Sequence, residues 1–169
     1  MPTRCSCRRT IPQNSIYIMS NCNIDWIEET TKEGKCFEVR VSGDSMLPLL
    51  GDRRDRLIVR HISSSDAIIG RIVMYRTSPG HYIVHRVVKI ENNIVTMLGD
   101  GRLTYDTPTK RENIIGVVEG VIRHNGKTEY CNTHSWRLRE RIWLAQPMLL
   151  RRCSLAIIRR WRRITHKGK

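Results

Sequence analysis

The 169-residue chain contains one phenylalanine, and aromatic residues of every kind make up 6% of it. Its core must therefore be built mainly from aliphatic side chains. Long apolar runs are also missing. No stretch approaches the roughly 20 apolar residues that a bilayer-spanning helix needs, and Ile16 to Met19 is too short for the core of a secretory signal. The expectation is a chain in the cytoplasm, or peripheral at the cytoplasmic face of a membrane. Metal-ligand spacing is absent too. Of the six cysteines, Cys5 and Cys7 lack the two-residue gap of common zinc knuckles, and no histidine lies at ligand spacing from them. Free thiols in a reducing compartment are expected, with no metal and no other cofactor. Finally, acidic residues are nearly absent from one end. From His134 onward there are eleven Lys and Arg and a single Glu, a net +10 out of the chain's +14. A cationic segment of this kind attracts nucleic acid or anionic lipid.

What is present divides the chain into three parts. Residues 1–35 form an N-terminal extension that is polar and basic at first. Asn14 or Ser15 is placed to cap a short helix running to about Thr31, with Ile16, Met19, Ile24 and Ile27 on one face. Residues 36–130 change to short runs of β character. Phe37 to Val41 alternates as a half-buried strand does. Further runs follow at Arg56–Arg60, Gly70–Tyr75, Tyr82–Ile90 and Ile94–Leu98, and a last one at Ile114–Arg123. Glu91-Asn92-Asn93 is a hairpin turn, and glycines punctuate the rest. The fold class expected is mainly β, one domain of many short strands. Residues 131–169 form a basic, Trp- and Arg-rich helical tail divided at Pro147. In its second half Leu150, Cys153, Ile157, Trp161 and Ile164 recur on one helical face, with Arg152, Arg159 and Arg163 opposite.

Three segments carry chemistry. The first is Val41-Ser42-Gly43-Asp44-Ser45-Met46-Leu47-Pro48, where a strand runs through a glycine into a turn serine. Such a turn can lift a hydroxyl out of a sheet and aim backbone N–H groups at a carbonyl oxygen. The second is Gly70-Arg71-Ile72-Val73, followed by Val84-His85-Arg86-Val87. Histidine is a base suited to neutral pH without the desolvation that a lysine would need. The third is Gly99-Asp100-Gly101-Arg102-Leu103-Thr104-Tyr105-Asp106, two acids six positions apart in one loop.

Together these segments resemble the boxes of the signal peptidase and LexA/UmuD (S24/S26-type) serine peptidases, over about residues 36–122. Gly-x-Ser-Met-x-Pro is similar to their nucleophile box. Val-His-Arg-Val is similar to the base box of the archaeal and endoplasmic-reticulum branch, which carries His where bacterial relatives carry Lys. The resemblance implies a signal-peptidase/LexA-like β-fold. It also implies Ser45 as nucleophile, His85 as general base, and Asp106 as the carboxylate that orients the His ring, with Asp100 as second choice. Gly101-Arg102 departs from the family's Asn in the third box. Gly43 stands where bacterial relatives supply an oxyanion hydroxyl, which leaves the Ser45 N–H as the expected donor.

The expected activity is a serine endopeptidase that cleaves a leader or signal-type segment presented as an extended strand, with a peptide or protein as partner. Two rivals remain. One is a LexA/UmuD-like regulator that cleaves itself, although no Ala-Gly or Cys-Gly dipeptide precedes Ser45. The other is an inert basic β-domain that binds membrane or nucleic acid. The tail admits three readings: a helix lying in an anionic membrane interface, a helix packed on the protein's own core, or a nucleic-acid contact, the last being the least expected.

Overall fold

The computed structural model describes residues 36–62, 68–78 and 81–166 of the chain. The helix expected before Thr31 lies outside the described residues. The protein is mainly β, with two helices following the strands. The strands are β1 (Cys36–Arg40), β2 (Arg56–His61), β3 (Ile72–Ser78), β4 (His81–Glu91), β5 (Ile94–Leu98), β6 (Thr109–Lys110), β7 (Ile114–Ile122) and β8 (Thr128–Tyr130). The helices are α1 (His134–Leu144) and α2 (Met148–His166). The strands form one eight-stranded sheet in the order β1-β2-β7-β3-β4-β5-β6, with β8 added along β7. Every pairing is antiparallel.

The central strands explain the texture of the sequence. Ile72 to Tyr75 of β3 are all buried, and alternate residues leave the strand on opposite faces. Ile72 and Met74 join a cluster with Phe37, Val39, Leu50, Leu57 and Trp136. Val73 and Tyr75 join a second cluster with Val87, Val95, Met97 and Val117. A continuous apolar run bounded by turns is the signature of a strand covered on both faces. In β4 the same alternation sends neighbouring residues in opposite directions. His85 lies across from Val73 and Arg86 across from Ile72.

The helices are not loosely attached. Trp136 of α1 is fully buried in the first cluster. The guanidinium groups of Arg123 and Arg139 lie 5.7 and 5.4 Å from its ring centre. A buried tryptophan removes on the order of 200 Å² from water, which at about 25 cal/mol per Å² amounts to about 5 kcal/mol as an upper bound. α2 docks through Leu155, which packs with Leu47 and Trp143. Its apolar face named above does not make this contact. Leu150, Cys153, Ile157, Trp161 and Ile164 are all exposed. The helix turns Arg151, Leu155 and Ile158 inward instead. Periodicity reveals that an apolar stripe exists; what the neighbouring surface offers decides which way it faces.

Candidate active site

The Ser45 segment leaves β1 and turns sharply at Gly43, whose φ of 89° lies in the left-handed region that favours glycine. The Gly43 N–H donates to the Asp52 carboxylate at 2.8 Å. Met46, Leu47, Leu49 and Leu50 are buried and anchor the turn, while Ser45 is half-buried. Apolar residues after the serine thus pin the loop from below and leave the serine at its surface.

The Gly99-Asp100-Gly101 loop lies directly against this turn. The Gly101 N–H donates to the Ser45 carbonyl at 2.8 Å. The Asp100 N–H lies 3.4 Å from the Met46 sulfur. Both glycines are required by closeness of approach. A Cβ at Gly99 would fall 2.5 Å from the Ser45 carbonyl oxygen and 2.9 Å from His85 Nε2. A Cβ at Gly101 would fall 2.5 Å from the Asp44 carbonyl oxygen. Gly99 is therefore the point at which the serine backbone and the histidine ring meet.

His85 is buried, 1% exposed. Its Nδ1 is in contact with the Asp106 carboxylate, which also accepts a hydrogen bond from the Tyr75 hydroxyl at 3.1 Å. The Arg102 guanidinium stands 3.6 Å from the other carboxylate oxygen. With Nδ1 committed to Asp106, Nε2 is the ring atom left to work. It is buried and has no hydrogen-bond partner among the described residues, so no hydrogen bond joins it to the Ser45 hydroxyl. An unpaired buried nitrogen costs free energy and calls for an explanation. Serine–base contacts are often looser without substrate than with it. Burial raises the pKa of the Tyr75 hydroxyl, and the charge and hydrogen bond of Asp106 raise it further. Tyr75 therefore stays a donor to that carboxylate.

Asp100 has a different partner. Its carboxylate takes a two-pronged contact from Arg86, at 2.9 and 2.7 Å. Arg86 also donates to the Gly70 carbonyl and to Glu140 of α1, both at 2.7 Å. Burial works against the Arg86 charge, but Asp100 and Glu140 outweigh it and hold the pKa above the ordinary value. The Asp100 backbone carbonyl is held as firmly. It accepts from Trp143 Nε1 at 3.1 Å and from Arg151 at 3.2 and 2.7 Å. Arg159 donates to the Gly101 carbonyl at 2.7 Å. The loop that touches Ser45 is thus gripped from behind by both C-terminal helices.

A family model described as peptidase S24-like matches residues 8–118, which is most of the chain. The chain belongs to the peptidase S24-like family. Membership supports a serine peptidase or a self-cleaving protein of the LexA/UmuD type. No curated protein matches the sequence. The S24-like match begins well upstream of Cys36, whereas the boxes by themselves reach back only to about that residue. It stops inside β7, before either helix.

Within this S24-like domain the His85 ring sits on Asp106, the Ser45 backbone carbonyl and His85 Nε2 both lie against Gly99, and the Asp100 carboxylate turns away toward Arg86. Lys89 of β4 is exposed and pairs with Glu91 at 2.8 Å. His81 and His124 are exposed, and His61 lies at the far end of β2. Sequence reasoning did not single out Tyr75, Arg86, Trp143, Arg151 or Glu140 as part of this site. Only Arg86 carried a signal, as a charge in the middle of an otherwise apolar run, which must be either exposed or paired. Among the described residues no three His, Cys, Asp or Glu side chains cluster as a metal ion would require.

Proposed function

We propose that the protein is a serine endopeptidase resembling signal peptidase, working through Ser45, His85 and Asp106. One observation carries the reading: a buried histidine with Nδ1 on a carboxylate and Nε2 unpaired, its ring meeting the Ser45 backbone across Gly99. Asp106 fixes the tautomer in which Nε2 carries the lone pair, and steadies the imidazolium once it forms. Nε2 accepts the proton of the Ser45 hydroxyl as Oγ attacks the scissile carbonyl. The Ser45 N–H supports the oxyanion. The protonated Nε2 then delivers the proton to the leaving amine, and a water molecule, deprotonated by the same nitrogen, releases the acyl group. The substrate is an extended segment of leader type with small residues near the cut, and the base is of the His-bearing rather than the Lys-bearing kind. The test is cleavage of leader-type peptides by purified wild type and Ser45→Ala. Activity in the variant is expected to fall by about 10⁴-fold or more; equal activity overturns the assignment.

Self-cleavage is the second reading, favoured by the S24-like match and by its extension back to residue 8. It predicts loss of an N-terminal fragment at a rate independent of protein concentration. Cleavage of an added peptide without loss of the enzyme's own N-terminus decides for the endopeptidase.

A further inference from the structure

α2 presents its two sides to different surroundings. The inner side carries Leu155 at 2% exposure and Arg151 at 8%, and through Arg151 and Arg159 it holds the carbonyls of Asp100 and Gly101. The outer side carries Leu149, Leu150, Ile157, Trp161 and Ile164, with Ile157 68% and Trp161 70% exposed. A surface helix ordinarily buries its apolar face. Here the more apolar side faces out, and a contiguous exposed stripe of this kind marks an interaction surface. Arg160 is exposed among these residues, Arg152 is exposed next to Leu149 at the edge, and no Asp or Glu follows Glu140 in the chain. What covers this side must therefore be apolar at the centre and anionic at the rim. A second copy would bring one basic tail against another. A nucleic acid would satisfy the arginines but leave the apolar stripe in water.

We propose that α2 docks side-on on an anionic lipid bilayer. The Leu, Ile and Trp stripe enters the boundary between headgroups and acyl chains, and Arg152 and Arg160 lie among the lipid phosphates. The docking rests on α2 alone. A corollary rests on the peptidase reading as well. Because the inner side of α2 holds the loop at Ser45, docking keeps the site about one helix diameter, about 10 Å, from the lipid, and selects substrate segments that lie next to the membrane.

The test is flotation of the full chain with vesicles of phosphatidylcholine alone and with added phosphatidylglycerol. The protein is expected to float with the anionic vesicles, less so as salt rises. The double variant Ile157→Ser/Trp161→Ser is expected to bind them at least about tenfold more weakly with unchanged thermal melting, because both side chains are exposed. Equal flotation of variant and wild type, or no flotation of either, overturns the docking. So does salt-dependent DNA binding that survives the double variant without vesicle binding, which assigns the arginines to nucleic acid. A dimer in sedimentation that the double variant dissolves, again without vesicle binding, assigns the stripe to a second copy. Cleavage of a soluble peptide, measured in parallel, is expected to be the same in both proteins. Its absence in wild type counts against the peptidase reading and leaves the docking result standing.

Discussion

His85 and Arg86 are neighbours on β4, both buried and both paired with an acid from the loop of residues 99–106, yet they end in opposite conditions. All three guanidinium nitrogens of Arg86 are engaged, by Asp100, Glu140 and the Gly70 carbonyl. His85 is half satisfied, with Nδ1 on Asp106 and Nε2 on nothing among the described residues. Strand alternation separates them onto the two faces of the sheet. A buried polar group with all its partners in place organises architecture. In the proposed mechanism, the idle Nε2 beside the Ser45 loop is the atom that takes up the serine proton. On the proposed reading, the difference separates stability from chemistry within two consecutive residues.

The comparison breaks most visibly at His85. His85→Gln is expected to lower peptide cleavage by about 10⁴-fold while changing unfolding free energy by only about 1 kcal/mol, measured by turnover and by urea titration of the same preparation. Arg86→Met should invert the pattern. Removing one member of a buried ion pair strands Asp100 and Glu140, and the expected loss is about 3–5 kcal/mol in the urea titration, with any loss of activity following the loss of fold. If His85→Gln unfolds the protein and Arg86→Met does not, the division of labour is wrong. A smaller effect lies at Tyr75. Tyr75→Phe deletes the second donor to Asp106 and is expected to cost about 1 kcal/mol of stability and less than tenfold in turnover.

The smallest effect is read by acid. Burial pushes the Glu129 carboxyl upward, but hydrogen bonds from Arg139 and Arg123 outweigh it and hold the pKa at about 2, below the ordinary 4.5. A depressed carboxylate adds stability that is fully present above pH 4.5 and is lost as pH falls toward 2. Glu129→Gln should therefore flatten the stability profile in that window, followed by thermal melting, and leave it unchanged near neutrality apart from a constant offset.

Much of the sheet was legible because the strand signals are local. Ile94 to Leu98 falls between the same residues in sequence and structure, set off by the turn before it and the glycine after it. β6 and β8 were not legible. Thr109–Lys110 and Thr128–Tyr130 are short and polar and are strands only because β5 and β7 lie beside them. The helix break at Pro147 followed from the missing N–H of proline. The outward direction of the α2 stripe did not, since it depends on carbonyls of a loop some 50 residues earlier capturing Arg151 and Arg159. At the site, the motifs marked a serine, a histidine and two acids. Which acid meets the ring is a matter of loop path and strand alternation, and spacing alone carries neither.

The central claim is that Ser45 is a hydroxyl activated by His85, and covalent labelling tests it most directly. Wild type, His85→Gln and Ser45→Ala would be incubated with an active-site-directed serine reagent and mapped by peptide mass spectrometry. The account predicts a single adduct on Ser45 in wild type, formed far more slowly in His85→Gln and absent from Ser45→Ala. An adduct on another residue, or equal labelling of Ser45 with and without His85, would contradict it.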